Sequence, residues 1–197
     1  MGLWTAVLKK IFYVLLASEV FVFALSNPGV ERAWVLEHDE PGHAVESPCD
    51  LTLDVTGKVY VVASSSPSGR TDASKILTIK YDSNGTELWH TIYSETGRIG
   101  LKPCSIVAGP SGCVYVAGEH KDPGRSNDFL IIKYNDKGKR LWVARWDGPN
   151  GLWNYPIGMK LDQKGYLYVT GVSKIGTEEQ CVVATVSYTH LTLPTKA

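Results

Sequence analysis

What the chain lacks narrows it first. It carries no net charge, because 20 Lys and Arg are matched by 20 Asp and Glu. No surplus of positive charge is available to displace counterions, so the footprint of a nucleic-acid binder is missing. A disordered tail is excluded too, since 44% of the residues are hydrophobic and only 20% are charged. Cysteine is scarce, at four, with no Cys-x-x-Cys and no Cys/His cluster of zinc spacing. No Gly-x-Ser-x-Gly, His-Glu-x-x-His or phosphate-binding glycine loop occurs, so no catalytic, cofactor-binding or metal-ligating residue is assigned. No stretch after residue 26 keeps a helical period, whereas 19 Gly and 10 Pro suit short strands and turns.

The two ends stand apart from the middle. Lys9 and Lys10 precede an apolar run from Ile11 to Leu25, broken by Glu19, and Ala24-Leu25-Ser26 supplies small residues before Asn27. This is the grammar of a secretory signal peptide over residues 1–26. Its 15 apolar-region residues fall short of a bilayer span. An uncleaved anchor is the alternative, and the only route to a membrane. At the other end, Val186 to Thr195 resembles the translation of a common transposase sequencing adapter, so residues 186–197 are expected to be a non-native tail. A real C-terminal strand is the alternative, because Thr and Leu alternate there. The span between, 27–185, carries the fold.

That span repeats itself. Trp34, Trp89 and Trp142 are spaced 55 and 53 apart, and Pro48, Pro103 and Pro156 each follow by 14 residues. Gly57, Gly112 and Gly165 keep the same spacing, as do Tyr60, Tyr115 and Tyr168. About three copies of ~54 residues result, with blades near 34–88, 89–141 and 142–185. Each reads as four short strands. In the second copy these are Leu88–Tyr93, Ser105–Ala108, Val114–Ala117 and Phe129–Tyr134, and Asn135-Asp136-Lys137-Gly138 then turns the chain into Arg140 to Arg145. The continuous apolar run of Phe129 to Tyr134 predicts a strand covered on both faces. Turns every 8 to 20 residues with strands in fours predict an all-β chain of β-propeller-type blades.

The residues carrying the pattern resemble the SBBP family of β-propeller repeats. The likeness rests on Gly112-Cys113-Val114-Tyr115-Val116-Ala117-Gly118, Asp128-Phe129-Leu130-Ile131-Ile132-Lys133-Tyr134 and Gly138-Lys139-Arg140-Leu141-Trp142, with counterparts from Gly57 and Gly165. It covers nearly all of 34–185. It implies a secreted, periplasmic or cell-surface propeller of unassigned ligand, without general catalytic residues. Three copies fall short of the roughly four to eight blades that close a propeller, so a fragment is expected.

Trp89 and Trp142 follow Gly-x-x-Leu, as in quinoprotein docking motifs, but a Trp in every copy is what packing between neighbouring sheets requires. Asp82-Ser83-Asn84-Gly85 and Asn135-Asp136-Lys137-Gly138 suggest calcium loops or sialidase Asp-boxes. Their Trp lies four residues after Gly where an Asp-box needs three, and Asx residues in hairpin turns suffice as the explanation. Cys49 and Cys104 share one repeat position with Ile157, which predicts an apolar, buried slot holding free thiols. A disulfide is the alternative in an exported protein. His38, His43, His90 and His120 repeat at no common position and are read as surface residues. The one local departure from the repeat is the aromatic stretch Trp146 to Tyr155, where Trp146, Trp153 and Tyr155 are candidate contacts for a carbohydrate or protein ligand. Loop packing onto the next blade is the plainer alternative. The expected function is a non-enzymatic binding module; the rival is a fragment of a quinone-dependent or lyase-like propeller enzyme.

Overall fold

The computed structural model describes residues 34–38, 44–67, 73–96, 100–121, 124, 126–148 and 152–186. The expected signal segment, His43 and residues 187–197 of the expected tail lie outside them. The described chain is all-β, in three antiparallel sheets. The first holds β1 (Ala44–Leu53), β2 (Val59–Pro67), β3 (Lys75–Tyr81) and β4 (Glu87–Tyr93) in sequential order. The second repeats it with β5 (Gly100–Ala108), β6 (Val114–Lys121), β7 (Asn127–Tyr134) and β8 (Arg140–Trp146). The third has β9 (Asn154–Leu161), β10 (Leu167–Ile175) and β11 (Glu178–Val186). Val186, counted by sequence with the tail, ends β11 opposite Leu167. The Trp-to-Trp repeat is out of phase with the sheets, because Trp89 and Trp142 stand on the last strand of a sheet.

Bulges fall at the same repeat positions. In the first strand of each sheet the ladder skips the residue after proline: Cys49, Cys104 and Ile157. Proline has no N–H for the ladder, and a bulge accommodates that gap. The slot therefore does not obey strand alternation, which corrects the expected burial: Cys104 is half-buried, while Cys49 and Ile157 are exposed. All four thiols are free. A second bulge skips Leu88 on β4 and Leu141 on β8, turning both leucines to solvent and the next residue, Trp, inward.

Two cores join the three sheets. Tyr60, Val62 and Ile76 of the first sheet meet Val114, Val116, Leu130, Ile132 and Tyr134 of the second. The alternate residues of β6 and β7, Tyr115, Ala117, Phe129 and Ile131, pack instead against Met159, Leu167 and Val169 of the third. The apolar run of β7 is thus covered on both faces, as period-two alternation between two neighbours demands. The outer face of the first sheet, with Val59, Val61, Leu77 and Ile79, is covered by Trp34 and Leu36. β5 lies against β1, and β9 against β5. Polar links reinforce the first seam: Ile106 N–H donates to Asp50 Oδ2 at 3.0 Å, and Leu101 N–H to the Ser74 carbonyl at 3.2 Å.

Candidate functional site

The repeated tryptophans act as locks between sheets. Asp82 and Asn135 open tight turns in which one side-chain oxygen accepts two backbone N–H groups: Asn84 and Thr86 for Asp82, Lys137 and Lys139 for Asn135, all at 2.8–3.0 Å. The Thr86 N–H bond is the main reason that the Asp82 carboxyl sits below its ordinary value. Asp54 and Asp162 hold the other hairpins in the same way. Such turns end in glycine at positive φ, +89° at Gly85 and +76° at Gly138. The bare glycine lets an indole from the neighbouring segment lie on the turn. A Cβ at Gly85 would come within 2.9 Å of the Trp34 ring, and one at Gly138 within 2.8 Å of Trp89. Each indole N–H then donates to a turn carbonyl, Trp34 to Ser83 at 3.4 Å and Trp89 to Asp136 at 2.9 Å. Trp89 also meets Tyr60 edge-on at 6.2 Å, and Trp142 meets Tyr115 at the same distance.

The aromatic departure from the repeat is organised around one residue the sequence did not single out. Asn154, buried at the start of β9, donates through Nδ2 to the carbonyls of Asp147, at 2.9 Å, and Leu152. Its Oδ1 accepts the Ser173 hydroxyl at 2.6 Å. Both ends of the connection between β8 and β9 are thereby fastened to β10. Trp146 stands at one end of this connection and Trp153 at the other, 37% and 58% exposed. Trp146 rests edge-on against Phe129, with ring centroids 5.0 Å apart. Tyr155 is half-buried on β9. An asparagine beside Trp153, with no counterpart in the repeat, is the sequence signal that could have found the anchor.

Two further clusters join residues far apart in sequence. At the seam of the first two sheets, the Glu95 carboxylate accepts from the Tyr93 hydroxyl, from Arg145, and from His120 Nε2 at 3.0 Å. Burial works against the charged form of Glu95, yet these three donors together hold its carboxyl below the ordinary value. His120 is buried, not at the surface as its polar context suggested. The second cluster sets His38, Glu87 and His90 together, with Glu87 shared between the two imidazoles. Neither set could be read from spacing, since His38 lies 49 residues from Glu87 and Glu95 lies 25 from His120.

No family's sequence profile matches the chain, and no curated protein matches it. Among the described residues, no helix is long and apolar enough to cross a membrane.

Proposed function

We propose that the three sheets are blades of a β-propeller-type repeat module of the SBBP kind, which works outside the cytoplasm as a non-enzymatic binding protein. The order of strands within each sheet, the side-by-side placement of β1, β5 and β9, and the recurring indole-on-turn lock support the propeller reading. So does an imbalance between the sheets. Tyr60 and Tyr115 are buried, whereas their counterpart Tyr168 is 39% exposed and β10 alternates buried with exposed residues. That is the face on which a further blade would pack.

The observation that carries the binding reading is Trp153: a large apolar ring, mostly exposed, on a connection whose base is pinned by Asn154. A fixed aromatic face can stack on a sugar ring or anchor a protein contact at little entropic cost. Trp146 and Tyr155 would extend the same surface. The enzymatic alternative gains nothing from the Tyr93, Glu95, His120 and Arg145 set, whose groups bond one another inside a seam. Titrating the protein with neutral oligosaccharides, followed by tryptophan fluorescence, tests this reading. Saturable quenching that Trp153→Ala abolishes, with unchanged circular dichroism, is expected. Quenching that survives Trp153→Ala, or its absence with every sugar together with no Trp153-dependent capture on a protein array, would overturn it.

A further inference from the structure

The seam between segment 34–38 and the first sheet carries a chemistry that its repeat counterpart lacks. His38 occupies the position four residues after Trp34, as Tyr93 does after Trp89. Glu87 and His90 correspond in the same way to Arg140 and Val143. At the second seam, packing is satisfied by Arg140 lying over the Tyr93 ring, 5.3 Å from its centroid. The architecture therefore does not require two imidazoles and a carboxylate at the first. Yet the ligand atoms of His38, Glu87 and His90 all lie within 4.8 Å of one another. His38 Nδ1 is 3.2 Å from Glu87 Oε2, and His90 Nδ1 is 2.6 Å from Glu87 Oε1. The two rings meet edge-on, at 66° with centroids 5.0 Å apart, rather than stacked.

We propose that His38, Glu87 and His90 form a divalent-metal site, suited to zinc, that fastens segment 34–38 to β4. Two imidazole nitrogens and one carboxylate oxygen are a donor set that borderline cations such as zinc prefer over the oxygen-seeking magnesium and calcium. Metal–ligand bonds of about 2.1 Å place tetrahedral ligand atoms about 3.4 Å apart. The His38 Nδ1–Glu87 Oε2 pair, at 3.2 Å, is within about 0.2 Å of that separation. His90 Nδ1 bonds the other oxygen, Oε1, at 2.6 Å, so its ring has to open from Oε1 by about 0.8 Å toward an ion held by Oε2. His90 and Glu87 lie on the accessible side of β4, so such an opening costs no core packing. The metal binds each imidazole at Nδ1 in the tautomer that keeps its proton on Nε2, and three protein ligands leave a fourth position for water or an anion.

The test uses the full chain, zinc as ligand by calorimetry, and cobalt as a spectroscopic substitute. One zinc per chain is expected, with a visible d–d band from cobalt in tetrahedral nitrogen and oxygen coordination and a zinc-dependent rise in melting temperature. Losing an outer-shell partner weakens metal sites by 10- to 100-fold, so His38→Asn, Glu87→Gln and His90→Asn should each weaken zinc by at least about 100-fold. His90→Asn changes an exposed side chain, so it remains informative if His38→Asn fails to fold. Cys49→Ser with Cys181→Ser should leave binding unchanged, because the exposed thiols are not ligands. Absence of binding at millimolar zinc, binding that survives Glu87→Gln and His90→Asn, or binding lost with the two thiols would each overturn the assignment.

Discussion

Replacing Gly138 by alanine should unfold the seam between the first two sheets more than replacing Gly165 does, although both stand at the end of an Asx turn. Their φ values are close, +76° and +86°, so both substitutions force an L-residue into the left-handed region, at about 1–2 kcal/mol each. They differ in what the new methyl meets. At Gly165 nothing lies within 4 Å, whereas at Gly138 the Trp89 ring lies 2.8 and 2.9 Å away. Backbone holds the turn, so the indole must give way. Its movement strains the 2.9 Å bond to the Asp136 carbonyl, worth about 1 kcal/mol net, and uncovers part of Tyr60. The expected loss is about 3 kcal/mol for Gly138→Ala against about 1–2 for Gly165→Ala. Urea unfolding followed by circular dichroism measures both, and Trp89 emission should shift to the red in the first variant alone. Equal losses, within the ~0.5 kcal/mol that unrelated sites scatter by, would refute the claim that the glycine exists to admit the neighbour's tryptophan.

Two more expectations rest on the seams and bulges. Because the donors around Glu95 depress its folded pKa, its contribution is complete above the ordinary glutamate value of about 4.3 and is lost as pH falls through the lower folded value. Glu95→Gln should therefore cost about 1–3 kcal/mol at neutral pH, and the two acid-unfolding curves should converge at low pH; parallel curves would contradict the clamp. Burial pushes the Cys104 thiol up to about 12, and Cys113 is buried. Under native conditions iodoacetamide should then modify the exposed Cys181 first, with exposed Cys49 slowed because partial burial of its thiol also raises its pKa, and uniform labelling would show that β5 and β6 are not covered as described.

The fold was legible wherever one residue type has one physical use. Trp, Pro, Gly and Tyr recur because an indole lock, a bulge, a left-handed turn and a strand face each admit few alternatives. The four strands read for the second copy fall within β4 to β7, with β5 beginning earlier, at Gly100, and the segment from Arg140 to Arg145 falls within β8. The turns at Asp82 and Asn135 were legible as turns for the same reason. The cysteine slot misled because an Ile substitution signals an apolar preference, while a bulge decouples side-chain direction from the strand period. The Trp-to-Trp phase misled because a repeat has no privileged starting point in sequence. His38 with Glu87 and His90, and Glu95 with His120, were invisible because tertiary packing brings them together. Asn154 is inconspicuous in sequence because it stands between two aromatics, Trp153 and Tyr155.

Hydrogen exchange across the full chain tests the central claim, that the described sheets stack through opposite faces of the middle strands. The amides of β2, β3, β6 and β7, bonded on both sides and covered on both faces, should exchange slowest, with the slowest in β6 and β7. Those of β11, an outermost strand with exposed residues alternating along it, should exchange fastest among the strands. Protection in β11 equal to that in β6 and β7, or weak protection throughout 44–186, would contradict the stacked arrangement.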